Sequence, residues 1–464
     1  MANRVFVIGL DSTPPKLVFE LWPDILPNLS RLRKNGIWGE LLSTDPPITV
    51  PAWTCMFSSR DPGEHGIYGF RNRKDFSYDK LAYANSSYIK LPMLWQFLAR
   101  AQKSSILVGV PQTFPPRPVK GLLIGDFLTP DPSVEYTYPV ELKEEINKVA
   151  DGEYIIDVKD FRTDDKKWLL DSIYLMTRRR FKVIKHLATR YPWDLLIFVE
   201  MGPDRIQHGF WRFFDTSHRL YEKNSAHENA IRDYYVELDR LIGDLLKIVD
   251  EKDTVIVVSD HGAKGMKGAI AINQWLIDSG YMKLKQACPT EQTKLSYESI
   301  DWEKTWAWSE GGYYARLFLN VSGREPNGKI TSAEYKQFRE KLAKEIADIP
   351  DENGQSIGTK VLFPEQVYRA TKNIPPDMIV YFGDLDWRSA GTIGLKSIHL
   401  FENDTGPDDA NHDYEGIFIL NSPLVPSDKM GKKFSGASIY DITPTILKMM
   451  GIDVSEPFIG KSLV

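Results

Sequence analysis

Three runs in this chain are apolar almost from end to end and rich in β-branched residues: Arg4–Leu10 (RVFVIGL), Asp194–Glu200 (DLLIFVE) and Asp253–Ser259 (DTVIVVS). A strand with one wet face alternates apolar and polar residues. A continuous apolar run suits a strand covered on both faces, as in a parallel sheet between layers of helices. This feature confines the chain to the α/β class. Each run also delivers an acid: Asp11 follows the first, Asp204 lies just past the second, and Asp260-His261-Gly262 follows the third. The C-terminal strand edge is where open α/β sheets place ligands. One such Asp reads as a helix N-cap; three on one edge read as a site.

At 464 residues, 42% hydrophobic and 26% charged, the chain can bury one large α/β core and still carry insertions. We expect a single domain over 1–464, a mostly parallel central sheet with helices on both faces, and inserted cap elements at about 70–190 and 283–370. In those spans the tidy strand–helix alternation fails. Ser104–Val110 and Leu122–Phe127 still read as strands there, and Asp165–His186 as a long helix whose Arg178-Arg179-Arg180 run is a solvated face. Further helices are expected at Leu26–Asn35, His227–Val249, Thr331–Ala347 and from Thr443 to Gly451, and further strands at Ile37–Thr44, Pro376–Tyr381 and Ile417–Leu420.

The net charge of -5 excludes nucleic acid as the main partner. Two cysteines, Cys55 and Cys288, form no disulfide framework, and no apolar run approaches membrane-spanning length. A soluble cytoplasmic protein is the default expectation.

The stretch Pro46-Pro47-Ile48-Thr49-Val50-Pro51-Ala52 is extended, and Ala52–Ser59 can begin a helix. A hydroxyl at such a corner lies beside unpaired helix N–H groups that welcome an anion. Thr49 is therefore a candidate nucleophile toward phosphorus, though alone it reads equally as an N-cap. Asp204 and His208 are four apart, so one helical turn aims both the same way, as two ligands of one cation require. His65, in a Pro/Gly loop, reads as a structural hydrogen-bonder. His412 precedes the last strand. Lys264 is a candidate anion holder. The aromatics Trp302, Trp306, Trp308, Tyr313 and Tyr314 read as subdomain core in preference to a stacking surface.

Summed, the candidate ligands are Asp11, Asp204, His208, Asp260, His261 and His412. Mixed Asp and His donors suit Zn²⁺, with Mn²⁺ the alternative, and six side chains are too many for one tetrahedral ion. Two divalent ions sharing them would leave positions open for a phosphoryl oxygen and for Thr49.

The chain resembles the alkaline phosphatase superfamily, and within it the type I phosphodiesterase / nucleotide pyrophosphatase branch. The resemblance rests on motifs in order: Gly9-Leu10-Asp11; Thr49-Val50-Pro51 with Asp61-Pro62-Gly63-Glu64-His65-Gly66-Ile67; Pro203-Asp204-Arg205-Ile206-Gln207-His208-Gly209; Ser259-Asp260-His261-Gly262; and Asn411-His412 through Gly416. It implies that Asp204, His208 and His412 hold one metal, and that Asp11, Asp260 and His261 hold the other with Thr49 as its activated alkoxide. It further implies a covalent phosphothreonine intermediate and a small-molecule phosphate ester or nucleotide as substrate. One position departs: where the nucleotide pyrophosphatases carry a phosphate-contacting Asn just after Thr-x-Pro, this chain has Ala52. The phosphate must then be held by backbone N–H groups near Val50, by Trp53, or by a basic loop residue. The competing functions are a phosphomonoesterase or phosphomutase on the same scaffold and, from another class, a non-catalytic phosphoryl-ligand or metal-binding protein. Sulfatase chemistry is disfavoured, because no Cys/Ser-x-Pro-x-Arg stretch is present.

Overall fold

The computed structural model describes residues 4–464. The three apolar runs form the centre of a nine-stranded sheet: β1 (Val5–Leu10) lies between β6 (Leu195–Glu200) and β7 (Thr254–Val258), all three parallel. The register aligns Gly9 with both Val199 and Val258, so the three strands release their acids at one edge. Every residue of β1, β6 and β7 is buried, which is why none of them alternates.

Beyond β6 the sheet continues through β3 (Ser105–Val108), β4 (Gly121–Ile124) and β5 (Thr137–Tyr138). Beyond β7 come β10 (Glu415–Asn421), β2 (Ile37–Leu42) and the short β11 (Ala437–Ser438). Pairing is parallel except at β5, at β10 with β7, and at β10 with β2. An antiparallel pair of β8 (Gly262–Gly265) and β9 (Ala410–Asp413) stands at the C-terminal edge, pairing Ala263 with His412.

The helices that matter here are α1 (Thr49–Met56), α2 (Lys166–Arg190), α3 (Gly202–Phe214) and α4 (Ala230–Leu246). Thr49 is the first residue of α1, with Ile48 extended before it at the N-cap. The expected N-cap role is therefore not the one Thr49 plays; its side chain makes no cap bond. Along α4, Ile231, Tyr235, Leu238, Ile242 and Leu245 are buried, on a helical period, against the main core.

The stretch 70–190 is not simply an inserted cap. It supplies β3, β4 and β5 to the central sheet and α2 to its core. The Arg178–Arg180 run is not a uniform solvated face either: Arg180 is buried and pairs with the buried Glu200 at 3.5 Å. The span around 283–370 builds a second, smaller core. There a four-stranded antiparallel sheet (Ala307–Glu310, Ala315–Leu319, Met378–Tyr381 and Lys360–Leu362) packs with the helix Tyr335–Ala347. That helix starts four residues later than Thr331, which instead exchanges bonds with Glu334 in the preceding turn. A third buried cluster joins Tyr68, Tyr314, Tyr368 and Tyr381 with the aliphatic Ile48, Ile379 and Leu385. Tyr381 donates to the Asp45 carboxylate at 3.0 Å and Tyr368 to the Asp45 carbonyl at 2.6 Å, tying the smaller sheet to the segment that leads into Thr49.

Candidate active site

β1 and β7 bring Asp11 and Asp260 to one edge; α3, which follows β6, adds Asp204 and His208, the turn after β7 adds His261, and β9 adds His412. The six fall into two groups, Asp204–His208–His412 and Asp11–Asp260–His261, with one ligand atom of each residue within 4.8 Å of the others in its group. In the first, Asp204 Oδ1 lies 3.1 Å from His208 Nε2 and 3.8 Å from His412 Nε2. In the second, His261 Nε2 lies 3.2 Å from Asp260 Oδ2 and 3.9 Å from Asp11 Oδ1. The rings of His261 and His412 stack at 3.8 Å, so the groups adjoin. Thr49 Oγ1 lies 3.3 Å from His261 Nε2. All seven residues are buried.

Each ligand is anchored through one polar atom, while the other points at its group. Asp11 Oδ2 accepts from the Trp53 indole at 2.7 Å, and Asp260 Oδ1 from the Ser12 N–H at 3.2 Å. Asp204 Oδ2 takes an Arg205 guanidinium N–H. The histidines all use Nδ1: His208 on Asp408 Oδ1 at 2.7 Å, His261 on the Gly262 carbonyl at 2.9 Å, His412 on the Pro47 carbonyl at 3.0 Å. An Nδ1–H so engaged leaves Nε2 as a lone pair, the state a metal ligand needs. Asp11 Oδ1, Asp204 Oδ1, Asp260 Oδ2, His208 Nε2 and His412 Nε2 are buried with no hydrogen-bond partner. Buried polar atoms are normally paired; five bare ones grouped in this way suit the binding of cations.

The electrostatics agree. Burial, then the nearby Asp204, pushes Asp11 well above the usual carboxylate range, and burial with Asp11 does the same to Asp260. Burial holds His261 down to about 4, and burial with the neighbouring His261 holds His412 well below the ordinary imidazole range. His208 goes the other way: burial lowers it, but Asp408, Tyr313 and Asp204 outweigh burial and raise it. The acidic surroundings of this ring thus favour positive charge beside it, which a bound cation would supply.

Two glycines make room for these contacts. A Cβ on Gly9 would meet Trp53 Cη2 at 2.7 Å, so only glycine lets the indole reach Asp11 across β1. Gly262 serves close approach and not a left-handed turn: a Cβ there would sit 2.2 Å from the Glu415 carbonyl. The residue that does adopt the left-handed conformation is Ser12, at φ 62°, which turns its N–H onto Asp260.

Some expected contacts fall elsewhere. Lys264 is no free anion holder, being engaged by Asp413 at 3.2 Å and the Asp384 carbonyl at 3.0 Å. The Trp53 indole N–H is spent on Asp11. His65 bonds Ser58 at 2.7 Å at the far end of α1. Trp308 is core, whereas Tyr313 stacks on His412 at 3.9 Å and belongs to the site. The supporting roles of Asp408, Ser43 and Ser259 lie outside what the sequence assigns, and Trp53, a candidate there for the phosphate, holds Asp11 instead. Ser259 Oγ takes the Thr13 N–H at 2.8 Å and donates to the His261 carbonyl at 2.5 Å; Ser43 Oγ donates to the Asp260 carbonyl at 2.5 Å. The only sequence signal for any of them was Ser259 standing directly before Asp260.

A mostly parallel sheet carrying paired Asp/His groups beside a helix-start hydroxyl is the arrangement that metal-assisted hydrolysis of a phosphoester requires. The sequence model of the type I phosphodiesterase / nucleotide pyrophosphatase family matches residues 5–414. The chain belongs to that family. Among solved structures it is similar to human ectonucleotide pyrophosphatase / phosphodiesterase 5 (14% identity, TM-score 0.58, covering 99% of this chain and 97% of that one). It is also similar to an inactive form of the murine protein in complex with AMP (13%, 0.57, 99% and 97%). Phosphonoacetate hydrolase from Sinorhizobium meliloti 1021, in complex with phosphonoformate, matches at 14% identity and TM-score 0.59 over 97% of this chain and 95% of that one. At these identities the likeness establishes the shared fold. No curated protein matches the chain.

Proposed function

We propose that this chain is a two-metal phosphodiesterase or nucleotide pyrophosphatase in which Thr49 is the nucleophile. The observation that carries the reading is the set of five buried, partnerless ligand atoms beside the Thr49 hydroxyl. Asp204, His208 and His412 would hold one ion, and Asp11, Asp260 and His261 the other, with Thr49 beside the second. Zn²⁺ suits these donors best, Mn²⁺ next. When bound, the ions would lower the pKa of the attacking hydroxyl and neutralise charge on the phosphoryl and leaving oxygens.

The residues themselves do the following. Thr49 loses its proton and Oγ1 attacks phosphorus; the Oγ1–P bond forms as the bond from phosphorus to the leaving oxygen breaks. A water then attacks the phosphothreonine ester, the Oγ1–P bond breaks, and Thr49 recovers a proton. Within the first turn of α1, Pro51 has no N–H and the Ala52 N–H is bonded to the Ile48 carbonyl at 2.9 Å. The N–H groups of Thr49 and Val50 are thus the backbone donors left for a phosphoryl oxygen, in place of the absent Asn side chain. The substrate class, a small phosphate diester or a nucleotide, is supported by family membership and by the AMP held in the murine relative. A cytoplasmic location is part of the same proposal.

The test is nitrophenol release from the bis- and mono-nitrophenyl phosphates with Zn²⁺ or Mn²⁺ added. Preference for the bis-ester is expected. Preference for the mono-ester would replace the diesterase reading with the phosphomonoesterase one.

A further inference from the structure

Asp408 is fully buried on the loop before β9, outside every motif that carries the metal site. Its Oδ1 takes the His208 Nδ1 proton at 2.7 Å. Its Oδ2 takes Arg162 Nε at 2.8 Å and an N–H of the buried Arg388. Both arginines then act on one ring. Arg162 Nη2 donates to the Tyr313 hydroxyl at 3.0 Å, and the Arg388 guanidinium lies 4.3 Å over the Tyr313 ring. Tyr313 in turn stacks on His412 at 3.9 Å with 23° between the planes.

From this geometry we propose that Asp408 is a positioning residue for two histidines of one group. It orients His208 directly, and it orients His412 through the Arg162–Arg388 grip on Tyr313. The inference deepens the two-metal reading above and rests on it. A carboxylate on Nδ1 fixes the tautomer and ring angle of His208 and makes Nε2 a stronger donor to a cation. No such carboxylate touches the other group: His261 hangs on the Gly262 carbonyl. Asp408 therefore acts on the Asp204–His208–His412 group alone, and so does Tyr313.

The test strips the purified chain of metal and titrates it with Zn²⁺ against a chromophoric chelator. Wild type is expected to bind two Zn²⁺. Asp408→Asn is expected to weaken one of them by about 10- to 100-fold and leave the other unchanged; Asp408→Glu, still anionic, recovers part of the loss. Asp408→Asn also strips a buried counter-ion from two arginines, so Tyr313→Leu serves as a second probe that keeps the Asp408–His208 bond. It is expected to weaken the same ion by a smaller factor, and Tyr313→Phe, which retains the stack, by less again. With Co²⁺ in place of Zn²⁺, the visible band of the weakened ion should shift in each variant that weakens it. Wild-type affinities in Asp408→Asn would overturn the proposal. So would equal weakening of both ions, or loss of fold in Asp408→Asn together with unchanged affinities in Tyr313→Leu; either would make Asp408 a structural counter-ion. If wild type binds no Zn²⁺, the two-metal reading itself fails, and that titration alone tells the two failures apart.

Discussion

Thr49 is an ordinary hydroxyl in an unusual place. Removing its oxygen in Thr49→Ala should lower turnover by roughly 10³-fold or more, with metal content unchanged, because none of the five bare ligand atoms belongs to it. Retained turnover would reassign the nucleophile. Trp53→Phe keeps the ring against Gly9 and deletes only the N–H bonded to Asp11. We expect it to weaken the ion on Asp11, Asp260 and His261 by about 10-fold or more, read by Zn²⁺ titration. His65 gives a pH prediction. Burial, with Lys372 and Arg60 nearby, lowers it to about 3 in the fold, against about 6.5 unfolded. As pH falls below 6.5 the unfolded chain takes up a proton that the fold refuses, so the stability associated with neutral His65 is present above 6.5 and lost toward pH 3. His65→Gln should flatten the fall in stability between pH 6.5 and 4 by up to about 1.4 kcal/mol per pH unit, measured by denaturant unfolding. An unchanged slope would show that His65 titrates normally. At this scale the six residues of the two groups were legible, because a cation site calls for particular residue types at particular strand exits. Asp408 was not: it is one half of an acidic doublet in a loop, and nothing in its neighbours marks it as the partner of a histidine 200 positions earlier.

The elements that hold the site are those whose sequences declare themselves. β1, β6 and β7 are buried on both faces, so their composition alone announces a parallel core. β3 and β4 are only four residues each, joined by Pro- and Gly-rich chain, and the periodicity there is too short to separate a sheet edge from a cap. The junction between the two cores was illegible for another reason. It is made by tyrosine hydroxyls meeting Asp45, and a tyrosine reads the same whether its hydroxyl is wet or bonded. That junction makes a prediction of its own. Tyr381→Phe removes the 3.0 Å bond to a partly buried carboxylate and should cost about 1–2 kcal/mol, seen in thermal or denaturant unfolding. It should also reduce kcat, because Asp45 lies on the segment whose Pro47 carbonyl anchors His412 and whose end is Thr49. An unchanged kcat with lowered stability would show that the segment is held without the smaller sheet.

At the scale of the whole molecule, two buried groups of carboxylates and histidines with bare polar atoms are a standing cost to the metal-free fold. Metal that binds only the native state adds RT ln(1 + [L]/Kd) per ion, about 2.7 kcal/mol at a hundredfold excess over Kd. Chelation should therefore lower the melting temperature by several degrees and abolish hydrolysis, with both restored by Zn²⁺; a melting curve indifferent to chelator would count against the two ion sites. No helix among the described residues is long and apolar enough to cross a membrane. The most direct test of the central claim is to quench the metal-loaded enzyme in acid during turnover of a diester and to map the digested peptides by mass spectrometry. The proposed chemistry predicts a phosphoryl ester on Thr49 and none in Thr49→Ala. Full turnover with Thr49 never modified, or with the ester on another residue, would contradict it.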